Sequence, residues 1–209
     1  TDTQAPTEAP VATEEPTAEP TAEAETSITR GTWTDGVYYN ATAGFNFTPP
    51  ENWLLADDEY IAQLVGVSKE MLGTEGEDLS DHEVVYDTFV QNPDNGTNVF
   101  IIYQKVSMLG ALGIGIGDIM DEIVKQMGEN TAMNCTYVGT TEQTLGSTDY
   151  QCAEFDVDIS GITIKQYILV NKFMNYTTNI TITAMASEPI EEFLPMFTSA
   201  QTAMADCCG

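Results

Sequence analysis

Cysteine is the residue type to weigh first, because a thiolate can be a nucleophile, a metal ligand or half of a disulfide. The chain has four: Cys135, Cys152, Cys207 and Cys208. No C-x-x-C occurs, so neither thioredoxin chemistry nor a zinc knuckle is supported. Four cysteines allow three pairings. Cys135 and Cys152 flank a hairpin centred near 143–147 and are expected to be bridged across neighbouring strands. Closing a loop of that size adds about 3 kcal/mol of stability. The competing reading is two unpaired, buried thiols. Cys207 and Cys208 lie next to the last residue, where a ring between adjacent cysteines is strained. They are expected to fray or to pair between molecules. The single histidine, His82, lies in a polar loop, and no G-x-S-x-G is present. A Cys–His or Ser–His–Asp mechanism therefore has no local support.

Acids dominate the remaining candidates. Among 209 residues there are 33 Asp plus Glu and 6 Lys plus Arg, a net charge of −27. That balance excludes a nucleic-acid grip, which needs clustered cations, and argues against docking on anionic lipid. Calcium could be gathered by Glu75, Glu77, Asp78 and Asp81 in the run GTEGEDLSDHE. It needs roughly six to eight converging oxygens, which a polar loop can supply. A solvated loop is the simpler account. Asp57, Asp58 and Glu59 suit the positive end of a helix. Asp156-Val-Asp158-Ile-Ser160-Gly161 imitates the start of a calcium loop, but Tyr167 stands where the last ligand should be. It reads instead as a solvent face and a tight turn, with Asp156 facing Lys165 across the hairpin. Two carboxylates could run glycoside hydrolysis, yet the sequence places no pair in a cleft. The glycines of Gly110–Asp118 do not follow the phosphate-loop pattern, and Asp118 occupies the place of the anion.

These residues must be positioned by helices and strands that the periodicity reveals. Ile116, Ile119, Met120, Ile123, Val124 and Met127 make one apolar stripe, so a helix is expected there, with Asp118 capping its start and Gly128 at its stop. A shorter helix is expected over 57–66, and a third over 188–204, capped by Ser187 and kinked at Pro195. Alternation places strands at 36–40, 44–50, 84–90, 98–106 and 135–145. Three more, at 153–159, 162–170 and 176–184, form a meander. Asn92-Pro93-Asp94-Asn95-Gly96 is a strong hairpin signal. Strands with helices inserted predict an α+β domain. Its antiparallel sheet has about six to seven strands, and helices lie on its faces.

Residues 1–30 are of another kind. Prolines at 6, 10, 16 and 20 beat through Thr, Ala and Glu, and no large apolar side chain precedes Ile28. Seven acids and one Arg give this segment a charge of −6. It is expected to be an extended, disordered spacer, leaving 31–209 as a single domain. No signal peptide opens the chain, which is expected to be a trimmed form. Six Asn-x-Ser/Thr sequons, at Asn40, Asn46, Asn95, Asn134, Asn175 and Asn179, are what a chain rich in Asn and Thr makes by chance.

GVYYNATAGFNFTPPENWLLADDEYI, with Gly44, Phe45, Phe47, Pro50 and Trp53, resembles the opening of small secreted lipoproteins from gut Clostridia. The order that follows is similar to the PsbP-like superfamily, which includes the extrinsic photosystem II protein and the Ran-binding Mog proteins. The resemblance covers about 33–203. It implies a non-enzymatic binding or assembly protein outside the cytoplasm. It also implies a lipidated Cys upstream of residue 1 as the membrane anchor, an unknown protein or small-molecule partner and no resident cofactor. A calcium-dependent surface protein and a two-carboxylate hydrolase are the alternatives.

Overall fold

Side chains that alternate between two faces shape the long strands. In Thr148–Ile159, Ala153, Phe155 and Val157 are buried on one face while Tyr150 and Cys152 are buried on the other. A strand buried on both faces must lie between two layers, and that is the architecture. The computed structural model describes residues 27–40, 43–74, 76–106, 114–130, 133–173 and 175–200.

The elements described are β1 (Thr32–Thr34), β2 (Val37–Asn40), β3 (Phe45–Phe47), β4 (Leu54–Leu55), α1 (Asp58–Val65), β5 (Val84–Gln91) and β6 (Asn98–Lys105). They continue with α2 (Ile116–Glu129), β7 (Asn134–Leu145), β8 (Thr148–Ile159), β9 (Ile162–Phe173), β10 (Tyr176–Met185) and β11 (Phe197–Ser199). The large sheet has seven strands in the order β4-β5-β6-β10-β9-β8-β7, and the small sheet has four in the order β1-β2-β3-β11. Every pairing is antiparallel. The expected α+β class stands, with a second sheet added.

The main core lies between the sheets. Tyr38, Phe45, Phe47 and Phe197 of the small sheet share one buried cluster with Val99, Ile101, Leu169 and Ile180 of the large one. The outer face of the large sheet is covered by helices. The stripe of α2 packs Met120 against Ala153, Phe155 and Val157. Ile61 and Ala62 of α1 pack with Phe89 at the other end. Asp57 caps α1 by accepting from Tyr60 N at 2.8 Å, and Gly66, at φ 74°, ends it. At α2, Asp118 reaches back to accept from Gly115 N at 2.9 Å.

Four expectations change. Cys135 and Cys152 are both free thiols. Cys135 faces Val157 and Cys152 faces Thr141, so the two are five positions out of register. At about 3.3 Å per residue that separation is about 16 Å, against the roughly 7 Å a disulfide can span. They also point to opposite faces of the sheet, Cys152 into the main core and Cys135 towards α2. The helix expected over 188–204 is two 3₁₀ turns, Ile190–Glu192 and Leu194–Met196, followed by β11. Pro195 has no N–H to extend a helix, and Phe197 is drawn into β3, its ring centroid 4.8 Å from that of Phe47. The spacer boundary moves back, because Ile28 is buried in the main core. β1, β4 and β11 join the expected strands. The tip Asn92–Gly96, the meander β8-β9-β10 and the Asp156–Lys165 pair, at 3.2 Å, are as read from the sequence. Residues 1–26, 107–113 and 201–209, with Cys207 and Cys208, lie outside the described residues.

Candidate binding surface

The acidic loop does not assemble a cation cage from its described residues. Glu75 lies outside them. Glu77 accepts from Thr74 N at 2.8 Å and Thr74 Oγ1 at 2.9 Å, and Asp78 accepts from Ser80 Oγ at 2.5 Å and Ser80 N at 3.0 Å. These bonds hold both carboxyls below their usual range. Asp81 is exposed. Among the described residues no three His, Cys, Asp or Glu side chains converge on a metal position. The loop instead anchors the segment that leads into β1. Leu79 is fully buried, its N–H donates to Ile28 O at 2.7 Å, and Ile28 N donates to Ser80 Oγ at 3.2 Å. Elsewhere Asp158 accepts from Gly161 N at 3.1 Å, serving the β8–β9 turn. Glu154 joins Asp156 in pairing with Lys165. Burial pushes the Cys152 thiol up to about 12, so it is inert at neutral pH.

One buried polar constellation escapes sequence reasoning. β5 carries a bulge between Tyr86 and Thr88, and Asp87 is its extra residue. A bulge leaves one residue out of the ladder and re-aims its side chain. The Asp87 carboxyl enters the space between the sheets. It accepts from Gly31 N at 2.9 Å, from Asn40 Nδ2 at 3.0 Å and from the Tyr38 hydroxyl. The freed Asp87 carbonyl accepts from Arg30 Nη2 at 2.9 Å and Nε at 3.3 Å. Arg30 also donates to Gly73 O at 3.3 Å and to Asp58 Oδ1 at 2.8 Å. Burial raises the Asp87 pKa, opposed by its bonds to Tyr38 and Gly31. Burial likewise lifts the Tyr38 and Tyr103 hydroxyls well above their ordinary range, which keeps Tyr38 a donor. A cavity of about 240 Å³ abuts Arg30, Asp58 and Asp87. The Arg30 guanidinium, Asp58 Oδ1 and the Asp87 carboxyl in its wall are bonded to their own chain, so the constellation is a clasp.

The outer surface beside this clasp exposes several large apolar side chains. Leu54 is 61% exposed and Met71 59%, and Leu55, Tyr60 and Leu64 are exposed with them. They come from β4, α1 and the 3₁₀ turn Lys69–Leu72. β4 is an outer strand of the large sheet. Its Leu55 borders three cavities, the clasp cavity and two of about 250 and 380 Å³. The first of the latter is floored by Phe89 beside Tyr60, the second is walled by Trp33 and Trp53. Leu54, Leu55 and Tyr60 share the lining of one cavity, and grouped exposed apolar side chains of this kind mark contact surfaces. In the sequence they look like an ordinary amphipathic helix start, since only the fold shows that nothing described covers them. Asp35-Gly36, both at positive φ, is the hairpin signal that could have revealed β1 and Trp33.

The fold and this surface define an α+β protein with two antiparallel sheets and no helix, among the described residues, long and apolar enough to cross a membrane. No family model matches the chain, and no curated protein matches its sequence. Solved structures do. The chain is similar to the solution structure of cyanobacterial PsbP from Synechocystis sp. PCC 6803. Identity is 11% over 84% of this chain and 95% of that one, with a TM-score of 0.49. It is also similar to a crystal structure from Bacteroides thetaiotaomicron VPI-5482, at 14% identity and a TM-score of 0.41. That match covers 78% of this chain and 48% of the other. The likeness concerns the fold alone, and no residue role passes across it.

Proposed function

We propose that this chain is a non-catalytic binding module of the cell envelope, which meets a protein partner through the face around β4 and α1. The observation that carries the reading is the exposed cluster Leu54, Leu55, Tyr60, Leu64 and Met71 at an outer strand of the large sheet. Burying such side chains against a partner gains about 25 cal/mol per Å² of apolar area. The Arg30–Asp87 clasp supports the same reading, since its polar groups are engaged in holding the fold. The extracytoplasmic setting, with a lipid anchor upstream, rests on the Thr/Glu/Pro composition of residues 1–26 and on the acidic surface.

The test is capture from the envelope fraction of the producing cell, comparing wild type with a Leu54→Ser/Tyr60→Ser/Leu64→Ser variant. Leu54 is largely exposed and Tyr60 and Leu64 about half so, and the variant is expected to stay folded with a modestly lower melting temperature, which its melt checks. A partner retained by wild type and reduced about tenfold or more by the variant is expected, as a hot-spot cluster worth at least ~1.4 kcal/mol requires. Recovery of the same proteins by both would refute the reading.

A further inference from the structure

We infer that the cavity between Trp33 and Trp53 receives the cationic side chain of a basic segment of a protein partner, an inference that rests on the binding role proposed for the adjoining face. The cavity measures about 380 Å³ and is walled by the two indoles with Pro49 and Pro50, while Asp35 and Glu51 stand exposed at its rim. Among the described residues no Lys or Arg lines it. The Trp33 ring is fixed, because its Nε1–H donates to Thr88 Oγ1 at 3.1 Å and its centroid lies 5.5 Å from Tyr38 and 6.3 Å from Phe47. The Trp53 backbone is set by its N–H donating to Pro50 O at 3.0 Å.

An indole face attracts a cation through its quadrupole, and Trp is the strongest of the aromatic side chains in this respect. The aliphatic stem of Lys or Arg lies comfortably on proline and indole while its head stays at the rim. Asp35 and Glu51 supply the countercharge there and repel anionic ligands. The whole chain, at −27, steers a basic partner towards the site and a second copy of itself away. A segment seated here passes directly onto Leu55, which borders the same cavity and belongs to the exposed apolar cluster.

The two tryptophans of the chain both line this cavity, and Trp53 does not border the clasp cavity that Trp33 also touches, so tryptophan emission reports on it. The full chain is titrated with a short peptide alternating lysine and threonine, with the same peptide carrying glutamate for lysine, and with choline. The lysine peptide is expected to give a saturable emission shift and the glutamate peptide none. An Asp35→Asn/Glu51→Gln variant is expected to bind the lysine peptide about fivefold or more weakly. Asn is well suited to the positive φ at position 35. An Asp121→Asn/Glu129→Gln variant on α2, which removes the same charge elsewhere, is expected to bind within about twofold of wild type. Equal weakening in both variants, no saturable shift, or saturation by choline but not by the lysine peptide overturns the inference. If the titration fails while the Leu54/Tyr60/Leu64 variant still loses its partner, the cavity inference falls and the binding role stands. If neither effect is seen, both fall.

Discussion

Asp87 concentrates the chemistry of this protein in one side chain. A carboxyl enclosed between two sheets is costly unless donors surround it. Gly31 N, Asn40 Nδ2 and the Tyr38 hydroxyl all donate to it, from the segment just before β1 and from β2. Asp87→Asn keeps the shape but turns an amide NH₂ towards groups that are themselves donors. It is expected to cost about 1–3 kcal/mol near pH 4. A carboxyl with a raised pKa holds its proton more tightly in the folded state than in the unfolded one. Its contribution to stability therefore falls as pH rises from the ordinary carboxylate range through its folded value. The gap in unfolding free energy between wild type and Asp87→Asn should narrow from about pH 4 towards pH 7. Urea melts across that range check it, and a gap that is flat or widens with pH would contradict the account. Arg30, Tyr38 and Tyr103 face the same carboxyl and are present in both proteins.

At the scale of elements, the segment from Ser27 to Gly31 works as a strap across β5, α1 and the loop before β5. Ile28 fills a core position and exchanges hydrogen bonds with Leu79 and Ser80. Arg30 ties the β5 bulge to Gly73 and to Asp58 of α1. Emptying a buried isoleucine position costs about 2–5 kcal/mol. A chain beginning at Gly31 is therefore expected to melt roughly 5–15 °C below one beginning at Ser27. Beginning at Ser27 rather than at Thr1 should change the melting temperature little. Calorimetry on the three chains decides, and equal melting for starts at Ser27 and Gly31 would mean the strap contributes nothing. The turn between β7 and β8 shows how closely the sheets approach: a Cβ at Gly146, whose φ is +62°, would stand 2.7 Å from Thr198 O of β11.

The whole molecule is a two-sheet core carrying a net charge of −27 on 209 residues. Like charges spread over one surface repel, and the repulsion is relieved within a Debye length of about 10 Å at 0.1 M salt. Raising sodium chloride from about 0.02 M to about 0.2 M is expected to raise the melting temperature. Each kcal/mol of relieved repulsion corresponds to about 2–4 °C for a protein of this size. A melting temperature that stays flat or falls over this range would show that the acids are already compensated by local bonds such as those of Glu77 and Asp78.

The long strands β5 to β10 and the helices α1 and α2 are legible in the sequence, because period-2 and period-3.6 patterns record which side of each element is buried. The hairpin tip Asn92–Gly96 and the Asp156–Lys165 pair are equally local, set by turn residues and cross-strand register. The acidic character of the surface is pure composition. What lay beyond the sequence depends on distant partners. β1, β4 and β11 are two or three residues long, too short for a pattern, and exist because a neighbouring strand pairs with them. Cys135 and Cys152 flank one turn, yet the turn position and the bulge near Tyr137 set a register that separates them. Asp87 reads as an ordinary polar position until the β5 bulge turns it towards Tyr38 and Asn40. The apolar face at Leu54, Tyr60 and Leu64 is likewise a tertiary outcome: an apolar side chain has the same sequence whether another layer covers it or water does, and only the packing of the sheets and helices decides which.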